Sequence, residues 1–599
     1  MRTSENIKTR TFAILLCMIS LNVTLPAYSQ EIITGGSPLK TDQEYLQYPE
    51  QVPGYLGESD FAASSVAQIN QLGSFGLSIN GIKTVIRTEK YRFLGSYAYR
   101  NYDGYRVHSN DYGHTANVSL KAIAGPNSSI SIAGSYVSGL VRMPGSLTKT
   151  EFANDPFAAD PRNVNRDEQR FATRGRLHIG YLSKFGQKLN NEISITGSGK
   201  IDFIRRVTGE FKIINRYGLG LEAKWTNKTS ILGRDNKFSL GGAIQTQPDK
   251  TEIYENYSGQ QSDLLEELKG ARMNNSNIFL TDNLEIFPEK LWIDLTGRFE
   301  RQIFSIRDEI LPLRTDERTY QAFTPLVKLT YNLSRAIAAY GSYGQFFTLP
   351  TEKQLEDSPV PAEIFNRNLN AQTDHKVEFG FRTEQPADTG RVVKKLGFEA
   401  TIYHNMIDNE IVAYEVYGEE YCRNAARATR FGAELKGSIA FSFGLKVKLS
   451  YNFSHFRYDS YAAQSLETDS TGNLVYVPRD FSGNTEPGIP ANKLSLVLSY
   501  NHHITRNISL LADVGYTAMS GFQVDDANSA KTNASGILDS MLGLYMKFGH
   551  FDFSVAGGVN NIFNKTYVGY ATINSADKRF YNPGVPRDYH CSLNMGYTF

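Results

Sequence analysis

The sequence predicts an all-β fold: one large transmembrane antiparallel β-barrel of about 22 strands, with long extracellular loops and short periplasmic turns. Three observations carry this. Side-chain polarity alternates with period two along most of the chain, as it does where successive strand residues face lipid and water in turn. The segments between alternating stretches are short and long by turns. The composition includes 35 Tyr, 35 Phe and 50 Gly beside only 2 Trp, with 41% hydrophobic residues overall, which suits many strands that are each wet on one face.

Several classes are excluded at once. The charges nearly cancel, 63 Lys+Arg against 62 Asp+Glu, so there is no basic footprint and no nucleic acid partner is expected. Three Cys do not make a disulfide scaffold. No apolar run after the N-terminus is long enough for a spanning helix.

At the N-terminus, Arg2, Lys8 and Arg10 precede the apolar stretch from Phe12 to Leu25, and Ala27-Tyr28-Ser29 follows. That order reads as a secretory signal peptide over 1–29, cut before Gln30. Residues 30–73 read as a short N-terminal segment with a degenerate first strand, and 74–599 as the barrel. Strands are placed near 74–87, 91–101, 112–124, 127–140, 170–184, 187–207, 217–229, 236–252, 275–287, 291–306 and 319–333. Others follow near 335–347, 374–385, 395–407, 427–441, 444–458, 491–503, 505–519, 535–548, 550–561 and 587–599.

The alternation is plainest at the end, where Tyr589, Cys591, Leu593, Met595, Tyr597 and Phe599 interleave with His590, Ser592, Asn594, Gly596 and Thr598. Leu291, Ile293, Leu295 and Phe299 likewise oppose Asp294, Thr296, Arg298 and Glu300. A water-filled lumen tolerates Arg298 and Glu300, whereas the core of a soluble sandwich does not. Pro126, Ser442-Phe443, Ile504 and Gly549 mark tight turns, and 141–169, 253–274, 348–373, 459–490 and 562–586 are expected as long polar loops. A single-chain barrel has an even strand number. The missing upward strand is therefore expected in residues 58–70.

Several stretches resemble the barrel of TonB-dependent outer-membrane receptors of the ferric-siderophore type. Phe347 and Pro350 match the family's strand ending in Phe-Arg-Ala-Pro, with Thr348 and Leu349 in place of Arg-Ala. Asn366, Asn368, Leu369, Glu378 and Gly380 match an Asn-Pro-Asn-Leu loop leading into a Glu-x-Gly strand. Gly432 and Glu434 match a Gly-x-Glu strand, and Pro487 to Pro490 a Pro-Gly-x-Pro turn. Tyr102 to Ser109 and Met143 to Thr148 resemble early extracellular loops, and Gly558 to Phe599 the closing hairpin. The terminal Phe599 resembles the signal read by the barrel-assembly machinery.

The resemblance implies a receptor of the Gram-negative cell outer membrane, set in lipid and lipopolysaccharide. It implies capture of a small-molecule chelate by loops and passage powered by TonB acting on a plug domain. The family's plug has no visible counterpart in residues 30–73, so the partner is TonB or a separate plug-bearing protein. A plugless diffusion channel and a surface-binding barrel without transport remain alternatives. In the loops, Arg142, Arg166, Tyr254, Tyr257, Arg314, Arg318 and Arg423 are candidates for an anionic ferric chelate, since guanidinium groups bind such oxygens bidentately.

No enzyme, cofactor or metal site is expected. His502 and His503 are adjacent and face opposite sides of a strand. Glu266-Glu267 and Asp308-Glu309 read as solvated loop acids, and no His lies in 351–365, where haem receptors of this family usually carry one.

Overall fold

A computed structural model of the chain describes residues 63–310, 314–356, 358, 363–385, 392–416, 419–468 and 474–599. The expected leader and residues 30–62 lie outside the described residues. The wall begins with β1 (Ser65–Gly73), β2 (Ser78–Arg87), β3 (Tyr91–Tyr102), β4 (Asp111–Gly125) and β5 (Ser128–Arg142). Helices α1 (Lys149–Asn154) and α2 (Pro161–Asn165) precede β6 (Gln169–Phe185), β7 (Asn191–Val207), β8 (Glu210–Ile231) and β9 (Arg234–Tyr257). Next come β10 (Gln260–Phe287), β11 (Leu291–Asp308), β12 (Thr315–Ser334) and β13 (Ile337–Thr348). Helix α3 (Glu352–Glu356) leads to β14 (Gln372–Gln385), β15 (Val393–Val416), β16 (Glu419–Phe441) and β17 (Leu445–Ser460). A separate hairpin of β18 (Ala462–Thr468) and β19 (Leu474–Asp480) precedes β20 (Asn492–His503), β21 (Ile508–Met519), β22 (Ser535–Phe548) and β23 (Phe551–Asn560). The small hairpin β24 (Val568–Ala571) and β25 (Tyr581–Pro583) comes before β26 (Asp588–Thr598).

Twenty-two of these strands form one antiparallel sheet, and it closes on itself because β1 pairs with both β2 and β26. Closure removes the unpaired edges that an open sheet leaves. On β26, Tyr589, Cys591, Leu593, Met595 and Tyr597 face outward and are exposed, while the residues between them face inward. The short-turn rim is built as expected: Gly444, at φ +97°, turns where an added Cβ would sit 1.9 Å from the Asn501 carbonyl oxygen.

Three expectations are corrected. The strand expected in residues 58–70 is present but lies later and is regular: β1 runs from Ser65 to Gly73 in unbroken register with β26. Residues 253–274 are not a loop, because β9 and β10 continue to a tight turn at Ser258-Gly259. β15 and β16 likewise extend beyond the expected 395–407 and 427–441, pairing up to Val416 and Glu419. In these segments the strands outgrow the membrane. A spanning strand needs about 9–11 residues, and β8, β9 and β10 have 22, 24 and 28. Beyond the bilayer no face must be apolar, so the alternation that marks a strand fades.

Candidate functional site

Most of the fully buried side chains lie at the long-loop end rather than in the spanning wall, because there the loops pack on one another and on the inner faces of the strands. Residues 349–356 and 363–371 fold inward. Phe365 and Leu369 pack with Phe304, Ile306, Tyr320, Ile411 and Cys422, and the Phe304 and Phe365 rings are 5.7 Å apart. Gln302 Nε2 donates to the Pro350 carbonyl (2.8 Å), the Tyr320 hydroxyl to that of Leu369 (2.7 Å), and Asn366 Nδ2 to that of Cys422 (2.7 Å). Five of the residues matched to the family's motifs therefore sit around this inward fold: Phe347 is the penultimate residue of β13, Pro350, Asn366 and Leu369 anchor the loop, and Asn368 stays exposed.

The other motif residues shape the wall. An added Cβ on Gly380 would meet the Tyr340 ring at 2.1 Å, and one on Gly432 the Tyr403 ring at 2.3 Å. Each glycine is the cross-strand partner of its tyrosine, so the rings lie flat on bare backbone. Lys328 and Lys376 hold cation–π contacts over Tyr340 (4.1 Å) and Tyr403 (5.3 Å), and Glu378 pairs with Lys376 at 2.8 Å. Glu434 pairs with Lys436 at 3.3 Å. Phe599 is exposed beyond β26, its ring edge-on to Tyr597 at 5.2 Å.

The charge pattern of the lumen is uneven. On β6, Arg170, Arg174 and Arg176 share a face with Lys200, Asp202 and Arg206 of β7 and with Lys212 and Arg216 of β8. That face is inward, since the alternating residues Ile201, Phe203, Tyr217 and Leu219 are the exposed apolar ones. Over these spans seven cations meet one acid, Asp202, which lies 2.8 Å from Arg176.

Much of the remaining counter-charge comes from elsewhere. Glu419, at the tip of the β15–β16 hairpin, accepts from Thr208 (2.5 Å) and lies 3.5 Å from Arg206 and 3.6 Å from Lys212. This contact joins strands eight to nine places apart in the sheet, so the tip reaches over the lumen. Arg216 is surrounded by Glu352 (3.0 Å) and Glu356 (3.3 Å) of α3 and by Asp249 of β9 (3.2 Å). These three carboxylates converge on the single Arg216 guanidinium, which pairs with each of them. Burial, and then the charge of Glu356, push the Glu352 carboxyl up to about 7.

A second buried network locks the cap. Arg430 pairs with Glu410 of β15 and, at 2.9 Å, with Glu486 of the loop before β20. Arg423 Nε donates to the Tyr461 hydroxyl (2.6 Å), and Tyr458 and Tyr461 donate to Asp526 at 2.9 and 3.0 Å. Burial raises the carboxyls of Glu486 and Asp526 above the usual range despite the arginines beside them.

The seven candidates chosen from the sequence do not form one pocket. Arg142 reaches Asp167 at 3.1 Å and Arg166 reaches Glu168 at 3.6 Å, and Asn256 ties the β9 tip to the Arg166 carbonyl. Those two arginines therefore neighbour the segment carrying Tyr254 and Tyr257, which are strand rather than loop residues; their hydroxyls donate to Glu252 and Glu255. Arg314 faces Asp308 and Arg318 donates to Asn370, both on the β11–β12 side. Arg423 is a strand residue within the cap network, not a loop residue.

The inner basic wall escaped the sequence reading, although Arg170, Arg174 and Arg176 stand at even spacing within an expected strand. Lys212 and Arg216 lay outside the stretch recognised as β8. His502 and His503 do face apart: one stacks on Tyr500, and the other bonds Ser509 at 2.8 Å.

The fold has well-defined relatives. The unliganded ferric citrate transporter FecA superposes with a TM-score of 0.71 at 15% identity, covering 89% of this chain and 78% of that one. The siderophore receptor PiuA from Acinetobacter baumannii gives 0.70 at 13%, covering 89% and 82%. The ferric yersiniabactin uptake receptor FyuA from Yersinia pestis gives 0.68 at 12%, covering 89% and 80%. A family model described as TonB dependent receptor-like, beta-barrel matches residues 54–562. With a match of that length, closed into a 22-stranded barrel, the chain belongs to the TonB-dependent receptor-like β-barrels, transporters and receptors of the Gram-negative outer membrane.

Proposed function

We propose that this barrel captures an anionic metal chelate, of the ferric-siderophore or ferric-carboxylate class, at its extracellular end and passes it inward. The observation that carries this reading is the basic wall of β6–β8, whose counter-charges come in part from outside the wall: Glu419 at the end of the β15–β16 hairpin and helix α3. A ligand bearing several carboxylate or phenolate oxygens competes with Glu352, Glu356 and Glu419 for the same cations, and arginine forks suit such oxygens. Binding then exchanges an internal anion for an external one, which loosens the loops that cover the wall. The names of the structural relatives, a ferric citrate transporter and siderophore receptors, agree with this class of cargo.

The test is calorimetric titration of the purified barrel with ferric citrate and with a neutral ferric hydroxamate. Tighter binding of the anion, weakened at least tenfold by Arg170→Gln with Arg174→Gln, is the expected result. Equal binding of both chelates, or no effect of the substitutions, refutes it. In cells, growth on one iron chelate that is lost on deleting this gene alone supports uptake.

A second reading, a diffusion channel without a plug, is favoured by one observation. Among the described residues no folded domain lies within the sheet; what enters the lumen is the loop segments 349–356 and 363–371. A steady, salt-proportional conductance in a planar bilayer supports the channel. A silent barrel supports the receptor, closed by its own loops or completed by a plug supplied with TonB.

A further inference from the structure

The outer face of the barrel is apolar nearly all round, as lipid requires, but it is interrupted at the closing seam. Register with β26 identifies the outer residues of β1. Gln68 pairs with Met595, Asn70 with Leu593 and Leu72 with Cys591, and all three β26 partners are exposed to the outside. Pairing with β2 carries the same face across: Asn80 opposes Asn70, Ile82 opposes Gln68 and Ser78 opposes Leu72.

The seam therefore presents Gln68, Asn70, Asn80 and Ser78 to the bilayer, while Ala67 and Ile69 of the same strand point inward and are buried. The amides are not at a membrane edge. β1 has nine residues, the length that one crossing needs, so Gln68 and Asn70 lie within the hydrocarbon layer. Their side-chain bonds are local: Gln68 Nε2 to Asn70 Oδ1 (3.3 Å), Asn70 Nδ2 to the Leu593 carbonyl (3.2 Å), and Asn80 Nδ2 to Ser78 Oγ (3.1 Å).

A carboxamide offers two donor hydrogens and an acceptor oxygen, and these bonds leave capacity on each. Lipid tails can fill none of it, and amides in membranes act as glue between spanning elements. We propose that the outer face of β1 and β2 is an interface at which two copies of this chain associate within the membrane about a two-fold axis.

Two features select a second copy as the occupant. The stripe holds no charge among its outward residues from Val66 to Leu72 and from Ser78 to Ile86, so a charged partner finds nothing to neutralise. Amides and hydroxyls also both donate and accept, so the face is complementary to itself when turned over, as an isologous contact requires.

The experiment is mass measurement of the full-length protein in native-membrane nanodiscs, for the wild type and for Gln68→Leu/Asn70→Leu/Asn80→Leu. Heat-dependent gel migration checks that each barrel is folded, and Asn70→Leu alone serves if the triple variant does not fold. The expected result is twice the single-chain mass for the wild type and the single-chain mass for the triple variant, with at least a threefold loss of dimer for Asn70→Leu. A single-chain mass for the wild type overturns the proposal. So does a folded leucine variant that stays dimeric, or a particle containing a different polypeptide on this face.

Discussion

Replacing Arg430 with Met tests whether the extracellular cap is pinned by charge. The guanidinium is 7% exposed, between Glu410 at 2% and Glu486 at 1%. Met keeps the bulk of the stem and removes the charge. Breaking a buried pair by deleting one partner costs about 3–5 kcal/mol, because the remaining carboxylates are left without compensation. The cost depends on pH. Burial already raises the Glu486 carboxyl above the usual range in the folded protein, so the folded state holds its proton to a higher pH than the unfolded chain does. The stability from this group is thus fully present below the unfolded value, near 4.5, and is lost as pH rises through the folded value. Without Arg430 that loss deepens. At pH 8 the full penalty applies, while near pH 5 the carboxyls stay protonated and only lost hydrogen bonds remain, about 1–2 kcal/mol. The assay is hydrogen exchange at Tyr458 and Glu486, whose amides bond the Asn484 and Phe456 carbonyls, corrected for the intrinsic rate at each pH. A loss of about 3 kcal/mol accelerates exchange roughly a hundredfold. Acceleration below about tenfold at pH 8, or equal acceleration at pH 5 and 8, would refute the reasoning.

Other substitutions probe the remaining contacts. Glu419→Gln weakens the bridge between the hairpin tip and β7–β8, so a cysteine probe at Thr208 should label faster than in the parent; unchanged labelling counts against a closed mouth. Phe304→Ala, at a site with 0% exposure, should cost about 3–5 kcal/mol and open residues 349–371 to protease while the barrel stays folded. Glu352 is raised to about 7, so docking of α3 should be tightest below pH 4.5 and weaken through 7; Glu352→Gln should shrink that pH dependence to the part carried by Asp249, read from exchange at the Leu355 amide. Gly380→Ala drives a methyl into the Tyr340 ring and should cost about 1–3 kcal/mol, measured as a lower urea midpoint, whereas Tyr340→Ala in the same background should recover part of it.

The barrel was legible from residues such as those of β26 because lipid on one side and water on the other force every second side chain into one class. The short-turn rim was legible for a similar reason: Gly444 and Gly549 sit where the chain must reverse within two or three residues. The upper parts of β8, β9, β10, β15 and β16 were not, since both of their faces leave the lipid and the period-two signal is lost. Hence Tyr254, Tyr257 and Arg423 read as loop residues although they lie on strands. β1 was placed a few residues early and read as degenerate because Gln68 and Asn70 face outward while Ala67 and Ile69 face inward, the reverse of the usual pattern.

The candidate site shows the same division. The guanidinium groups were visible as residue types, but which ones share a face depends on the register of β6 with β7 and of β7 with β8. Local patterning by itself determined the architecture and the short-turn rim, because solvent acts on each strand separately, and the motif residues around Phe347, Asn366 and Gly432 carried the family resemblance. Only the tertiary structure decided that Glu419 meets Arg206, that Glu352 meets Arg216 and that Arg430 joins Glu410 to Glu486. Those partners are far apart in sequence, and closure of the sheet together with the inward packing of its loops brings them within bonding distance.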